Sequence, residues 1–341
     1  MNTVLPVAVV GCGRMGRLHA RVFSQMPSVK LVGVFDANPD AAAETAKQFG
    51  TSVLSSIDEV ARLARAAAIA TPTIHHLDAA RPLLREGCAC LIEKPLARTS
   101  AECREIVALG ERHGVVVQVG HIERFNPAVR AVQRLGIAPG FIEVTRISPL
   151  TFRSIDVGVV LDVMIHDIDI VQSLVRSPVL DVQATGVSIV GGGTDGQVAE
   201  DVCNARLKFE TGCVANLTAS RLAMKTERRL RVFSSDAYVS LDYQKKYGIV
   251  VKKKGNVDAL RQVIAQIRSG EIDDLSQLNY QQLVQIEELT IDDVEPARAQ
   301  LEAFVASVTT GTPVEVPGTD GLRAVETAER IVSAIGGTIL R

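Results

Sequence analysis

Gly11-Cys-Gly-Arg-Met-Gly16 follows an apolar run, Leu5 to Val10, and an acidic residue, Asp36, stands 20 positions after its last glycine. Glycines at this spacing between a strand and a helix carry a physical meaning. The first allows a tight turn, the second lets the backbone approach a pyrophosphate, and the third lets the helix pack closely on the strand. The phosphates then lie at a helix N-terminus, where free N–H groups and the dipole favour anions. Arg14 and Met15, between the second and third glycines, join Gly11, Gly13 and Gly16 as candidate contacts. Asp36 closes a second apolar run, Val29 to Phe35, which sets its carboxylate where a ribose 2′-hydroxyl is accepted and a 2′-phosphate repelled. Neither Ala37 nor Asn38 is a cation that offsets the repulsion, so the expected dinucleotide is NAD.

The chain has 341 residues, long for a single core, and two domains are expected. Its 37 basic and 39 acidic residues nearly balance, without a basic block or a tryptophan, which argues against nucleic acid or a membrane surface as partner. A small soluble ligand fits better. No cationic, apolar and small-residue leader precedes the first strand, and no apolar stretch approaches a membrane span; a cytoplasmic location is expected. Cysteines at 12, 88, 90, 103, 203 and 213 form no recognisable framework and read as reduced. Cys88 and Cys90 are the only close pair, and no second Cys or His pair stands near with ligand spacing, so no metal is expected.

To about residue 120, short β-rich runs alternate with helical patterns, as in a doubly wound parallel sheet. Strands are expected at 7–10, 31–35, 67–70, 89–92 and 115–119, with helices at 16–26, 39–49, 57–62, 76–86 and 100–113 between them. Ligands in such sheets bind beyond the carboxyl ends of the strands. Three segments lie there: Thr71-Pro72 to His76, Glu93-Lys94-Pro95, and Gly120-His-Ile-Glu-Arg-Phe-Asn-Pro127. Pro95 biases Lys94 to an extended backbone at a strand end. On its own residues, Lys94 reads first as a solvated surface charge.

Beyond residue 140, β-rich runs at 141–148, 180–190, 201–209, 213–220, 230–234 and 238–241 are joined by hairpin-like turns such as Glu210-Thr-Gly212 and Ser235-Asp236. They predict a second, α+β domain with an open, mostly antiparallel sheet. Lys245, Lys246 and Lys252 to Lys254 read as a solvated sheet edge, and Gly191 to Gly196 as a connecting loop. Helices return through 297–309 and 321–335. The expected division is 1–122 and 123–341, with the C-terminal helix packing back on the first domain. An exposed sheet face in the second domain predicts a homodimer or homotetramer.

Asp162, His166 and Asp169 stand at i, i+4 and i+7 in an apolar helical pattern, so they are expected on one helix face. A carboxylate bonded to the imidazole fixes its tautomer and raises its basicity, as a general base needs. A polar face on a half-buried helix accounts for the same spacing.

Together, Gly11 to Gly16, Thr71-Pro72 to His76, Glu93-Lys94-Pro95, Arg124 and the Asp162/His166/Asp169 helix resemble the Gfo/Idh/MocA oxidoreductases, and the likeness spans essentially the whole chain. It implies an N-terminal Rossmann domain and a C-terminal domain whose open sheet commonly forms the oligomer interface. It also implies that Lys94 lies beside the nicotinamide and the reacting hydroxyl, with Asp162 and His166 completing the proton-handling site. Family members commonly carry glycine two residues after the aspartate; Met164 stands there, and its bulk is expected to reshape the substrate side.

Within the family, Gly120 to Pro127 and Met164-Ile-His-Asp-Ile-Asp169 are most similar to the UDP-N-acetylglucosamine 3-dehydrogenases, which supply a 3-keto sugar nucleotide in lipid A precursor synthesis. The expected reaction is NAD-dependent oxidation of a sugar secondary alcohol. A diphosphate-bearing substrate needs cations, and Arg221, Lys225 and Arg228 follow a β-run at a spacing that presents them together or simply solvates a turn. Arg124, Asn126, Arg153 and Asp169 are further candidates. A dehydrogenase of inositol, another polyol or a free sugar is the alternative, and a non-catalytic NAD sensor a second one.

Overall fold

The chain begins in a parallel sheet whose strands are almost wholly apolar, because helices cover both faces. In the computed structural model, residues 4–150, 157–190, 199–253, 265–270 and 284–336 are described. The first domain runs β1 (Leu5–Val10), α1 (Arg14–Ser24), β2 (Val29–Phe35), α2 (Pro39–Phe49), α3 (Ile57–Leu63), β3 (Ala66–Ile69), α4 (His76–Arg85), β4 (Ala89–Glu93), α5 (Ser100–His113) and β5 (Val117–Gly120). The strand order is β2-β1-β3-β4-β5, all parallel, so the segments after β1, β3, β4 and β5 emerge at one edge. Local signals act as expected. The Asn38 side chain accepts from Asp40 and Ala41 N–H at the start of α2, Thr99 from Glu102 N–H at the start of α5, and Gly50 and Gly114 end those helices in left-handed conformation. Several boundaries shift by one to three residues; α1, for one, starts two residues earlier than its pattern suggested, because extended Gly13 serves as N-cap.

After α6 (Pro127–Arg134) the second domain adds β6 (Pro139–Ile147), a π-helical turn (Val160–Met164) leading into α7 (Ile165–Val175), β7 (Val179–Val187), β8 (Val202–Phe209), β9 (Val214–Ser220), β10 (Glu227–Ser234), β11 (Ala237–Asp242), β12 (Tyr247–Lys253) and β13 (Val284–Glu288). The sheet order is β13-β12-β11-β10-β6-β9-β8-β7, antiparallel except at β6–β9. Alternation is clean: Cys203, Ala205, Leu207 and Phe209 are buried, while Asn204, Arg206 and Lys208 face outward. The fold is α/β, a Rossmann sheet followed by an open, mostly antiparallel one.

Two strands, β12 and β13, escaped the sequence pattern, and they correct the reading of the lysines. Lys245 and Lys246 lie in the β11–β12 turn, and β12 is covered by β13, so Lys252 pairs with Glu287 at 2.8 Å instead of guarding a free edge. Lys254, Arg153 and the Gly191 to Gly196 loop fall outside the described residues.

The chain then returns. Helix α8 (Pro296–Thr310) buries Ala297, Leu301 and Phe304 in one cluster with Val7, Val9 and Phe23, and α9 (Gly318–Ile335) packs on α5, α7 and β7. Among the described residues no helix is long and apolar enough to cross a membrane.

Candidate active site

Each glycine after β1 answers a different steric demand. Gly11 has φ +94°, and a Cβ there would meet the Ala70 backbone at 2.7 Å. A Cβ on Gly16 would stand 1.7 Å from the Gly11 carbonyl, so the helix approaches the strand as only glycine permits. Around Gly13 nothing lies within 4 Å of a Cβ position, and no side chain caps α1. The loop thus presents an open cradle of free N–H groups, with Arg14 exposed and Met15 half-buried beside it. Asp36 closes the cradle: Oδ2 accepts from Cys12 N–H at 2.6 Å and Oδ1 from Asn38 N–H at 2.8 Å. The carboxylate is partly exposed at the end of β2, where a ribose hydroxyl can be accepted.

The segments after β3, β4 and β5 are stitched together. Buried His76 sets Nε2 3.0 Å from the Thr71 carbonyl and Nδ1 3.0 Å from that of Pro95. Burial pushes its pKa below the ordinary value. His76 thus stands between two loops, its one neutral-ring N–H donating to either carbonyl, with Pro72 exposed beside it. Glu93 is buried, with Oε1 2.8 Å from His19 Nε2 and its Oε2 accepting from Lys94 N–H at 3.3 Å. A Cβ on Gly120 would strike Glu93 at 2.9 Å, so β5 also closes on this carboxylate. The Lys94–Pro95 peptide is cis.

Lys94 is no surface charge. Its side chain is one-fifth exposed, and Nζ donates to the Asp162 carbonyl at 2.6 Å and to Oδ1 at 3.4 Å, joining the two domains. Asp162 is therefore turned to Lys94, and the expected Asp162–His166 hydrogen bond is not formed. Residues 160–164 wind as a π turn, which takes more residues per turn than an α-helix and shifts the i, i+4 alignment. His166 is partly exposed, but its Nδ1 is buried without a hydrogen-bond partner among the described residues. Burial holds the imidazole well below its ordinary pKa, and the positive fields of Lys94 and Arg146 add to the effect, so His166 is neutral. Asp169, also buried, accepts from Arg124 at 3.2 Å through Oδ1.

The residues expected on the substrate side do not converge on one patch. Arg124 reaches Asp169, Asp320 and the Glu315 carbonyl. Asn126 caps α6 and donates to Glu123. Arg221 is buried, donating to Asp201 at 2.7 Å and to the Val157 carbonyl at 2.7 Å. Lys225 is exposed in the turn before β10. Arg228 is partly exposed and donates to Glu123 at 3.1 Å. Met164 is fully buried in the main core, so its bulk packs inward and does not shape a substrate surface.

Residues 5–121 match the oxidoreductase family with the NAD-binding Rossmann fold, and residues 148–240 match the GFO/IDH/MocA C-terminal domain. The chain belongs to the Gfo/Idh/MocA oxidoreductases. Among its relatives, the UDP-N-acetylglucosamine 3-dehydrogenase of Acidithiobacillus ferrooxidans is 36% identical over 236 residues, which cover 69% of this chain and 73% of that protein. A solved structure of that enzyme superposes with a TM-score of 0.86 at 29% identity, covering 99% of both chains. Inositol 2-dehydrogenase of Rhizobium meliloti is 26% identical over 96% of both chains.

The first domain of this Gfo/Idh/MocA chain is thus an NAD-binding Rossmann domain, and the open cradle at Gly13 and the Asp36 carboxylate fit the cofactor. Several residues that shape the rest of the site carried no sequence signal. Arg146 grips Asp167 with two 2.8 Å bonds and Glu123 with one of 2.9 Å, fully buried, which fastens α7 to β6. Losing one partner of such a network costs about 3–5 kcal/mol. Glu200 accepts Val160 N–H at 2.9 Å through Oε1 and Val159 N–H at 2.9 Å through its carbonyl, anchoring the π turn. His121 lay within a segment singled out by its place after β5, but its neighbours are distant in sequence.

Proposed function

We propose that this oxidoreductase oxidises a sugar secondary alcohol, and that its substrate is UDP-N-acetylglucosamine, taken to the 3-keto sugar nucleotide. The observation that carries the reading is the bond of Lys94, from the strand ends of the NAD-binding domain, to Asp162, one turn before His166. Bound NAD supplies the hydride acceptor. Gly11 to Gly16 cradle its diphosphate, Asp36 accepts its ribose hydroxyl, and Thr71, Pro72, His76, Glu93 and Pro95 frame the rest. His166 Nε2 takes the hydroxyl proton, which a neutral imidazole can do at pH 7. Lys94 donates to the same oxygen and stabilises developing alkoxide character, while the Asp162 carbonyl and carboxylate hold the ammonium in place.

The choice of substrate rests on the likeness to the UDP-N-acetylglucosamine 3-dehydrogenase along nearly the full chain. Lys225 and Arg228, the more exposed of the candidate cations among the described residues, are assigned to the diphosphate. Oxidation of inositol is the second reading, favoured by the full-length likeness to an inositol dehydrogenase. The test is NADH formation with UDP-N-acetylglucosamine, myo-inositol and glucose in parallel, with a carbonyl-trapping reagent to draw the ketone forward. Turnover of the nucleotide sugar well above the other two is expected. Efficient turnover of inositol or glucose, with none of UDP-N-acetylglucosamine, overturns the assignment.

A further inference from the structure

Four polar atoms on three side chains lie buried and unpartnered among the described residues at one place, below His166: its own Nδ1, both ring nitrogens of His121, and Asp169 Oδ2. His121 is 1% exposed at the end of β5, and its ring stands edge-on to that of His166 with centroids 6.4 Å apart. Asp169 is the strongest charge acting on it, followed by Arg124, Lys94 and Glu93. Each buried polar group without a partner costs about 1–3 kcal/mol, so several at one spot demand an explanation.

The atoms are complementary in kind. The carboxylate oxygen of Asp169 only accepts and makes no direct bond to His121, so a neutral His121 supports it by donating from one ring nitrogen to a bridging water. The other His121 nitrogen then can only accept, and the donor it needs is N–H at Nδ1 of His166. Asp162, the partner expected from spacing, is engaged by Lys94 and does not compete.

We propose that His121 is a positioning residue in a buried, water-bridged hydrogen-bonded chain from His166 Nδ1 through His121 to Asp169, fixing the His166 proton on Nδ1 and its lone pair on Nε2. At this separation the two rings make no direct bond, and a water bridges polar groups nearly as well as one. When the substrate hydroxyl proton reaches Nε2, the imidazolium keeps Nδ1–H donated down the chain. No proton leaves Asp169's partner Arg124, and no charge is left unsupported. The proposal rests on His166 acting as the base.

The experiment joins kinetics to a tautomer measurement that needs no substrate. In NAD-bound protein with ¹⁵N-labelled imidazoles, His166 is expected as the Nδ1–H tautomer, and His121→Phe is expected to lose that preference. The same variant should lower kcat about 100-fold, in line with the loss of a general base's alignment. NADH affinity should change less than about twofold, since His121 is outside the cradle. His121→Gln, whose amide both donates and accepts, should recover much of the rate. A purely structural His121 gives the opposite: Phe, an apolar filler of similar size, leaves kcat and tautomer unchanged. That result, or an Nε2–H tautomer in the parent protein, overturns the proposal. If no sugar is oxidised, the failed reading is the reaction, and the tautomer still decides the chain.

Discussion

The glycine loop and the floor beneath His166 treat their polar groups in opposite ways. At the loop, Asp36 is bonded through both oxygens to backbone N–H groups, and Arg17 braces the Cys12 carbonyl at 3.1 Å and Glu44 at 2.9 Å. Under His166, four polar atoms have no partner among the described residues. The first region is a rigid template whose shape exists before the cofactor arrives. The second holds groups under electrostatic tension, with a neutral base facing the cleft, and its chemistry depends on partners several elements away.

Substitutions separate the two regions. Lys94→Ala or His166→Ala should lower kcat by about 100- to 10,000-fold while NADH binding, read by fluorescence titration, persists. Near-parent turnover in either variant breaks the assignment of the catalytic half. Gly11→Ala acts on the other half: with φ +94° and the Ala70 backbone at 2.7 Å, the added methyl must displace the loop. Strain of about 3 kcal/mol corresponds to roughly 100-fold weaker NADH binding. A variant that binds NADH normally contradicts the rigid template. Asp36→Ala should weaken NADH by about 10- to 100-fold, the worth of a charged hydrogen bond, and narrow the preference over NADPH. An unchanged ratio of the two affinities removes Asp36 from the ribose.

A smaller effect sharpens the contrast through pH. His76, His121 and His166 are all held below imidazole's ordinary 6.5 by burial. As pH falls through 6.5 the unfolded chain takes up protons that the folded protein refuses. Stability is therefore complete above that pH and declines below it, by up to about 1.4 kcal/mol per pH unit for each histidine. Denaturant titrations between pH 7.5 and 5 should show the decline, with a gentler slope in His121→Phe. A flat profile means that these imidazoles are not held neutral.

The same contrast explains what was legible in the sequence. The cofactor half is local: Gly11, Gly13, Gly16 and Asp36 lie on consecutive elements, and their order encodes their geometry. The parallel sheet, the helix caps at Asn38 and Thr99, and the hairpin at Gly212 were readable for the same reason. The catalytic half is non-local. Spacing placed Asp162 and His166 on one face, but could not show the π turn that frees Asp162 for a lysine 68 residues away. Arg124 and Arg221 looked like free cations because Asp169 and Asp201, which bind them, are remote in the chain. Strand β13 stayed hidden because its alternation is weak, with only Val284 and Glu287 shielded.

Hydride transfer from the substrate carbon is the central claim, and label transfer tests it directly. With UDP-N-acetylglucosamine deuterated at C3, the deuterium is expected on the nicotinamide of the NADH formed, at a rate slower than with unlabelled substrate. NADH that carries no deuterium, or a ketone that retains it, contradicts the account.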